Sequence, residues 1–479
     1  MPHPPAPMRE RAKGILQRFG HELKSARHKG SFARNALYTS SDALVTILAQ
    51  VILTPLVARI YGPEAYGVYG LFLSITLNLS TIAGLAYPNA FVLPREEERF
   101  HDMARGSLLI LLAFTVLSVP FFFWHDLLFT LAPSWSVLGN WLYAIPFTIL
   151  VLGLVQIFLG WATRVKAFSL YAKIGPGTNL SLRFFNLAYG TLSKGSVHGL
   201  MLGEVLVRSL SVGAFVVGLK QYKLRSLITE YRWPRIKSVL LEFKNYPLFI
   251  FPSRWLALFA TQLPIFGLTT LRDPVSVGQF ALASGLLLMP LRLLGYSLSA
   301  VFLQKAAEVR AKDPAEVGMI TQRLYVRLMM LGVVPFAFIT FFGDAVFALI
   351  LGDDWRMAGT YSCMLGLFYF FRLLSEPLVT LYSVMGQERK MFSFYAVNMV
   401  ANLGAVLFGT WVLGTPTGIL MSFCICNTVL YLYLSARILH MVGRPWATLT
   451  VRSLLILFVV CLLFAVARQL LMGSWWVTL

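Results

Sequence analysis

The sequence predicts an all-α polytopic membrane protein: two six-helix lobes in parallel repeat around a charged cleft, with one extra apolar segment at the C-terminus. Three observations carry this. First, of 479 residues 57% are hydrophobic and only 13% charged, where a soluble chain carries about 25% charged. Second, apolar runs recur at about the 20-residue length that crosses a bilayer core. Third, two such runs in Tyr246–Gln304, joined by a short polar turn at Asp273-Pro274, have a counterpart in Tyr38–Leu93.

In chain order, residues 1–35 are polar and basic and predict a cytoplasmic segment without a signal peptide. Met8–Phe19 has the pattern of an interfacial amphipathic helix. Residues 36–219 hold spans 1 to 6: 36–60, 66–87, 106–124, 139–161, 170–189 and 197–219. The basic stretch 220–244 marks the lobe boundary and predicts a cytoplasmic anchor on anionic lipid. Residues 245–439 hold spans 7 to 12, with spans 9 to 12 at 324–351, 358–384, 392–413 and 418–439. Residues 440–479 hold the extra run, Ser453–Met472, long enough for a thirteenth span.

Loop charge tests this map. Thirty of the 41 Lys and Arg residues fall in one alternate set of loops, three in the other, and eight inside spans. The positive-inside rule therefore places the N-terminus in the cytoplasm. The same rule accounts for the net charge of +20 without nucleic acid. The four cysteines all lie in apolar runs and read as packing residues rather than disulfides or metal ligands.

Aligned without gaps, Pro63 pairs with Pro274, Gly67 with Gly278, Tyr69 with Phe280 and Leu71 with Leu282. An even number of spans per lobe makes the repeats parallel, and transporters so built hold substrate between them.

Several stretches resemble a known family. Arg34-Asn35-Ala36-Leu37, the run Leu56–Tyr69, Tyr246–Pro264 with Val277-Gly278-Gln279-Phe280, and Leu351–Gly359 are similar to the polysaccharide-transporter (O-antigen flippase) family of the multidrug/oligosaccharidyl-lipid/polysaccharide exporter superfamily. The resemblance implies a V-shaped pair of lobes in a bacterial inner membrane. It implies movement of undecaprenyl-pyrophosphate-linked oligosaccharide from the cytoplasmic to the periplasmic leaflet by alternating access, for cell-surface polysaccharide biosynthesis. The C-terminal run departs from the usual twelve helices and leaves the lipid II flippase branch open. A multidrug or cation antiporter of the same superfamily is the other alternative. A membrane glycan polymerase is disfavoured by the short outer loops.

A pyrophosphate head group needs a cationic wet cleft, and arginine binds phosphate oxygens in pairs. The intramembrane arginines are Arg59, Arg183, Arg208, Arg254, Arg292, Arg327, Arg372 and Arg468. Arg59, Arg327 and Arg468 lie near span ends and are expected to snorkel. Arg208 with Glu204, and Arg372 with Glu376, stand four apart, which suits either a packing ion pair or a cleft wall. Arg183, Arg254 and Arg292 have no acid within four residues, so they are expected to line the cleft.

The head-group candidates are therefore Arg254, Arg292, Arg183, Arg372 and Arg208, and the gate or coupling candidates Asp42, Glu376 and Glu204. The alignment sets Arg254 one residue from Asp42, which predicts an inter-lobe ion pair between them in the outward-facing state. Asn78, Gln156, Asn179, Asn186, Asn398, Asn402 and Asn427 are expected to make helix–helix hydrogen bonds. Trp124, Trp135, Trp141, Trp355, Trp475 and Trp476 fall near outer-face span ends, and most of them read as belt residues. No catalytic constellation, metal cluster or cofactor motif occurs. A proton or sodium ion remains open as coupling ion. The expected partners are the lipid-linked oligosaccharide, anionic membrane lipids and other polysaccharide-assembly membrane proteins.

Overall fold

The structure is a computed structural model that describes residues 32–124, 128–130, 132–292 and 297–474. The basic N-terminal segment up to residue 31, Trp475 and Trp476 lie outside it, as do the side chains of residues 32–51. Among the described residues all regular structure is helical.

α1 (Phe32–Gly84) carries both first spans and departs from helical geometry only at Gly62, with φ 69° and ψ 173°. Glycine takes a positive φ without a Cβ penalty. Pro63 then opens the second half at a position where its missing N–H costs nothing. The turn expected over Gly62–Gly67 is thus a one-residue break. α2 (Glu97–Phe123), α3 (Ile145–Arg164), α4 (Phe168–Leu192) and α5 (His198–Leu219) complete the first lobe. α1 packs on α3 and α4, α2 on α3, and α5 on α3 and α4.

The basic stretch is itself folded. α6 (Trp233–Glu242) buries Ile236 and Val239 as it packs on α2. Lys223 pairs with Glu97 at 3.3 Å, Arg235 with Glu98 at 3.2 Å, and Arg99 with Glu242. Part of its positive charge is therefore neutralised by the start of α2. Exposed pairs of this kind contribute about 1 kcal/mol at most, so the two apolar side chains do more to hold α6.

The second lobe comprises α7 (Phe251–Thr270), α8 (Pro274–Pro290), α9 (Ser297–Lys312), α10 (Pro314–Leu351), α11 (Arg356–Ser375), the single turn α12 (Leu381–Val384), α13 (Glu388–Phe408), α14 (Pro416–Met441) and α15 (Trp446–Met472). Asp273 caps α8 by accepting from the Ser276 backbone N–H at 3.0 Å, and Thr415 caps α14 through Gly418 at 3.1 Å. α10 packs on α11, α11 on α14, α13 on α7 and α14, and α15 on α10 and α14.

Ten helices among the described residues are long and apolar enough to span a membrane. The chain is a multi-pass membrane protein. The sequence predicts twelve spans and a possible thirteenth, and three of these are not counted among the ten. The first falls mostly within residues 32–51, and the part of α1 that follows counts as one span, Ile52–Gly84. The fifth, α4, carries Lys173, Asn179, Arg183 and Asn186, which dilute its apolar character. The eighth, α8, is only 17 residues long.

Polar groups inside the bundle behave as anticipated in the second lobe. Asn402 Nδ2 donates to the Asn398 carbonyl at 2.8 Å, and the Asn402 and Asn427 amides bond each other across α13 and α14. All four cysteines are free, Cys363 and Cys424 fully buried.

Arg468 corrects an expectation. It does not snorkel: it is 3% exposed on α15 and forms a two-point ion pair with Asp344 of α10, at 2.8 and 2.9 Å. It also donates to the Phe341 carbonyl. The run expected to start at Ser453 is a full helix, docked at this end.

Candidate functional site

The bundle has two ends. One carries Gly62, the Arg272-Asp273 turn and the Asp353–Trp355 turn; this is the hairpin end. The other carries the folded basic stretch; this is the linker end.

At the hairpin end the lobes meet main chain to main chain. A Cβ on Gly67 would overlap the Pro274 carbonyl oxygen and lie 2.7 Å from its carbon. A Cβ on Gly278 would overlap the Pro63 carbonyl oxygen and lie 2.9 Å from its carbon. The two repeat-related Pro and Gly pairs are thus in reciprocal contact. Two further groups cross here. Arg59 donates to the carbonyls of Ile350 at 2.9 Å and Leu349 at 3.3 Å. It thereby caps the C-terminus of α10, where a cation suits the helix dipole, and stays exposed at the end of its span. Trp355, expected in an interfacial belt, is 1% exposed, and its indole N–H donates to the Ala58 carbonyl at 3.2 Å.

Away from this contact lies a cavity of about 1000 Å³. Among the described residues its first-lobe wall is the α1 stretch Gly70–Leu77, and the rest comes from α7 with Phe249 and Ile250 before it, α8 with Arg292 after it, Ser299 of α9, α11, α13 and the segment before α13. Ser74 Oγ and Gln262 Oε1 meet at 2.6 Å across the lobes. Three candidate arginines converge here: Arg254, Arg292 and Arg372. Two carboxylates accompany them. Glu376 accepts from Arg372 at 2.9 Å, and Glu388 stands exposed at the linker end. The pair of Arg372 and Glu376 is therefore both an ion pair and a cavity wall. The Arg372 guanidinium also sits 5.9 Å from the ring centres of Tyr369 and Tyr431, a favourable cation–π distance.

Arg254 Nη1 donates to Asn89 Oδ1 at 2.8 Å. Asn89 lies in the short 3-10 turn Tyr87–Ala90 after α1, so this bond links the lobes near the linker end. No carboxylate among the described residues pairs with Arg254. The expected partner, Asp42, has its side chain outside the described residues. Asn89 escaped the sequence reading because a lone amide after a span looks like loop chemistry.

The other candidates lie elsewhere. Arg208 pairs with Glu204 at 2.9 Å, and Glu204 accepts from the Tyr69 hydroxyl at 3.0 Å. Arg183 stands beside Tyr66 and Tyr69 in this cluster. Arg183, Arg208 and Glu204 thus serve the interior of the first lobe and do not line the cavity. The cause is packing: α4 and α5 turn these faces to α1 of their own lobe. No group of three metal-ligating side chains exists among the described residues.

The arrangement can hold a large ligand with a multiply charged anionic part. The guanidinium groups lie toward the linker end, while Leu73, Ile265, Phe280 and Ala281 line the region nearer the hairpin end. The family described as polysaccharide biosynthesis protein matches residues 32–303. The chain belongs to this family.

Solved structures agree on the architecture of this polysaccharide biosynthesis family member. A multidrug resistance MATE family transporter of the MOP superfamily, in an inward-facing conformation, is similar at 14% identity and a TM-score of 0.65, with 88% of this chain and 97% of that one covered. Lipid II flippase MurJ, in an inward closed conformation, is similar at 14% identity and a TM-score of 0.64, with 91% and 98% covered. An outward-facing MATE family transporter of the MOP superfamily gives 13% identity and a TM-score of 0.53, with 85% and 95% covered. At such identities the likeness concerns the fold, a V of two helical lobes. No match is found among curated proteins.

Proposed function

We propose that this protein is a flippase for polyprenyl-pyrophosphate-linked oligosaccharide, of the undecaprenyl type, acting in surface polysaccharide assembly. The observation that supports this most is the cavity of about 1000 Å³ lined by Arg254 of α7, Arg292 just after α8 and Arg372 of α11. A cation antiporter needs the opposite balance, with acids free to bind a cation. Here Glu376 is committed to Arg372, and the other lining carboxylate, Glu388, is outnumbered by Arg254 and Arg292. Guanidinium groups keep their charge and offer paired donors to phosphate oxygens.

The loop charge asymmetry puts the linker end in the cytoplasm. In that orientation the closed hairpin end is periplasmic, and the cavity is in its loading state. The head group enters beside Arg254 and Arg292 while the polyprenyl chain stays in lipid. Rocking of the lobes then exposes the head group to the other side. The residues carry no covalent chemistry in this scheme.

The test uses purified protein in vesicles containing a fluorescent polyprenyl-pyrophosphate oligosaccharide, with a membrane-impermeant quencher reporting leaflet exchange. Wild type should speed exchange. Arg254→Ala should slow it roughly tenfold or more, as a hydrogen bond to a charged group contributes about 1.5–3 kcal/mol. Uptake of a lipophilic cation with no exchange of the glycolipid would favour the antiporter reading instead.

A further inference from the structure

A second cationic pocket lies outside the cleft. Its volume is about 390 Å³, and it is lined by Met319, Gln322, Arg323, Val326, Arg327 and Arg444. The first five come from α10 and the last from the connection between α14 and α15. Gly318 lets this connection lie against α10: a Cβ there would sit 2.7 Å from the Val442 carbonyl oxygen and 2.9 Å from Arg444 Nε. Arg444 Nε is buried without a hydrogen-bond partner. None of the three guanidinium groups has an ion pair among the described residues.

Depth identifies what could satisfy them. α10 ends at Leu351 at the hairpin end. At about 1.5 Å per residue, Arg327 and Arg323 lie roughly 36 and 42 Å further along its axis. A hydrocarbon core of about 30 Å that begins near Leu351 ends before either is reached. Both therefore sit at head-group level on the linker side, one turn apart on the same helix face. Val326, on the core side of Arg323, adds apolar surface for the start of an acyl chain. The pocket shares no lining residue with the large cavity.

We propose that Arg323, Arg327 and Arg444 bind the phosphate head group of an acidic phospholipid, such as phosphatidylglycerol. Such a lipid would bridge α10 to the start of α15. Three guanidinium groups lining one pocket supply the recognition.

The full-length protein in a neutral detergent is titrated with dioleoylphosphatidylglycerol, dioleoylphosphatidylcholine or inorganic phosphate while its melting midpoint is followed. Phosphatidylglycerol should raise the midpoint at low concentration, and the other two should not. In Arg323→Gln/Arg327→Gln/Arg444→Gln the half-saturating phosphatidylglycerol concentration should rise roughly tenfold or more. The linker variant Arg232→Gln/Arg235→Gln/Lys237→Gln should shift it less, and an equal shift would assign the response to the basic stretch and overturn the proposal. An unchanged response of the arginine variant overturns the proposal. Equal stabilisation by phosphatidylcholine would indicate an apolar groove only, and equal stabilisation by inorganic phosphate a free-anion site; either overturns it. Should the triple variant fail to fold, Arg444→Gln alone is compared with wild type by native mass spectrometry. Loss of the retained phosphatidylglycerol is then the expected result, and equal retention overturns the proposal.

Discussion

Replacing Gly278 with valine should abolish transport by preventing the hairpin end from closing. A Cβ at this position meets only backbone: the Pro63 carbonyl, and the Gly67 nitrogen at 2.8 Å. Main chain cannot rotate aside as a side chain can, so the two lobes must separate. The substitution adds bulk in the closed state alone, and it therefore shifts the equilibrium towards the state open at this end. The measurement is thiol labelling of Ser74→Cys, deep in the cavity, in a background with Cys363, Cys424, Cys426 and Cys461 replaced. A membrane-impermeant reagent added from the hairpin side should react roughly tenfold faster or more in Gly278→Val. Gly67→Val should act in the same direction, since its Cβ would meet the Pro274 carbonyl. Gly404→Ala is the control, because nothing lies within 4 Å of a Cβ there. Equal labelling of Gly278→Val and wild type would show that this contact does not gate the cavity.

Asp344→Ala should strongly destabilise the second lobe. Asp344 is 8% exposed and is the partner of Arg468 at two points. Truncation leaves a buried guanidinium without its counter-charge, a change that costs about 3–5 kcal/mol. The loss should appear first as release of α15, whose outer face is already open to lipid at Leu455, Phe458, Leu462 and Leu463. Protease cleavage in the connection between α14 and α15 should accelerate before the bundle as a whole unfolds in a thermal scan. The double variant Asp344→Leu/Arg468→Met should recover most of the stability, because an apolar pair needs no charge to be satisfied. If Asp344→Ala melts and digests like wild type, the pair is not what docks α15.

The turn residues were legible in the sequence because Pro63, Gly67, Pro274 and Gly278 recur at equal spacing. That they touch was not, since an internal alignment relates the two copies without giving the distance between them. Arg254, Arg292 and Arg372 could be found because a guanidinium within an apolar run must have a reason to be there. Arg183 and Arg208 met the same criterion yet face their own lobe. Membrane helices are apolar both toward lipid and toward neighbours, so hydrophobic periodicity says little about which face looks into the cleft. Arg59, Trp355 and Arg468 sit near span ends, where snorkelling and docking look alike in one dimension. What separates them is a partner far along the chain: Ile350 for Arg59, Ala58 for Trp355, Asp344 for Arg468. The Gly62 turn is shorter than its composition suggests because its polar and aromatic residues, Glu64 to Tyr66, resume the helix at once.

The large cavity is built unequally by two halves that share an architecture. Among the described residues, only Gly70, Leu73, Ser74 and Leu77 of the first lobe line it, and its three arginines belong to the second. The two copies share a frame, but among the described residues the cationic groups of the cavity come from the second. The described part of the first copy presents small and aliphatic side chains to the cavity. Inheritance of ligand preference in this family should therefore follow the C-terminal half of the gene.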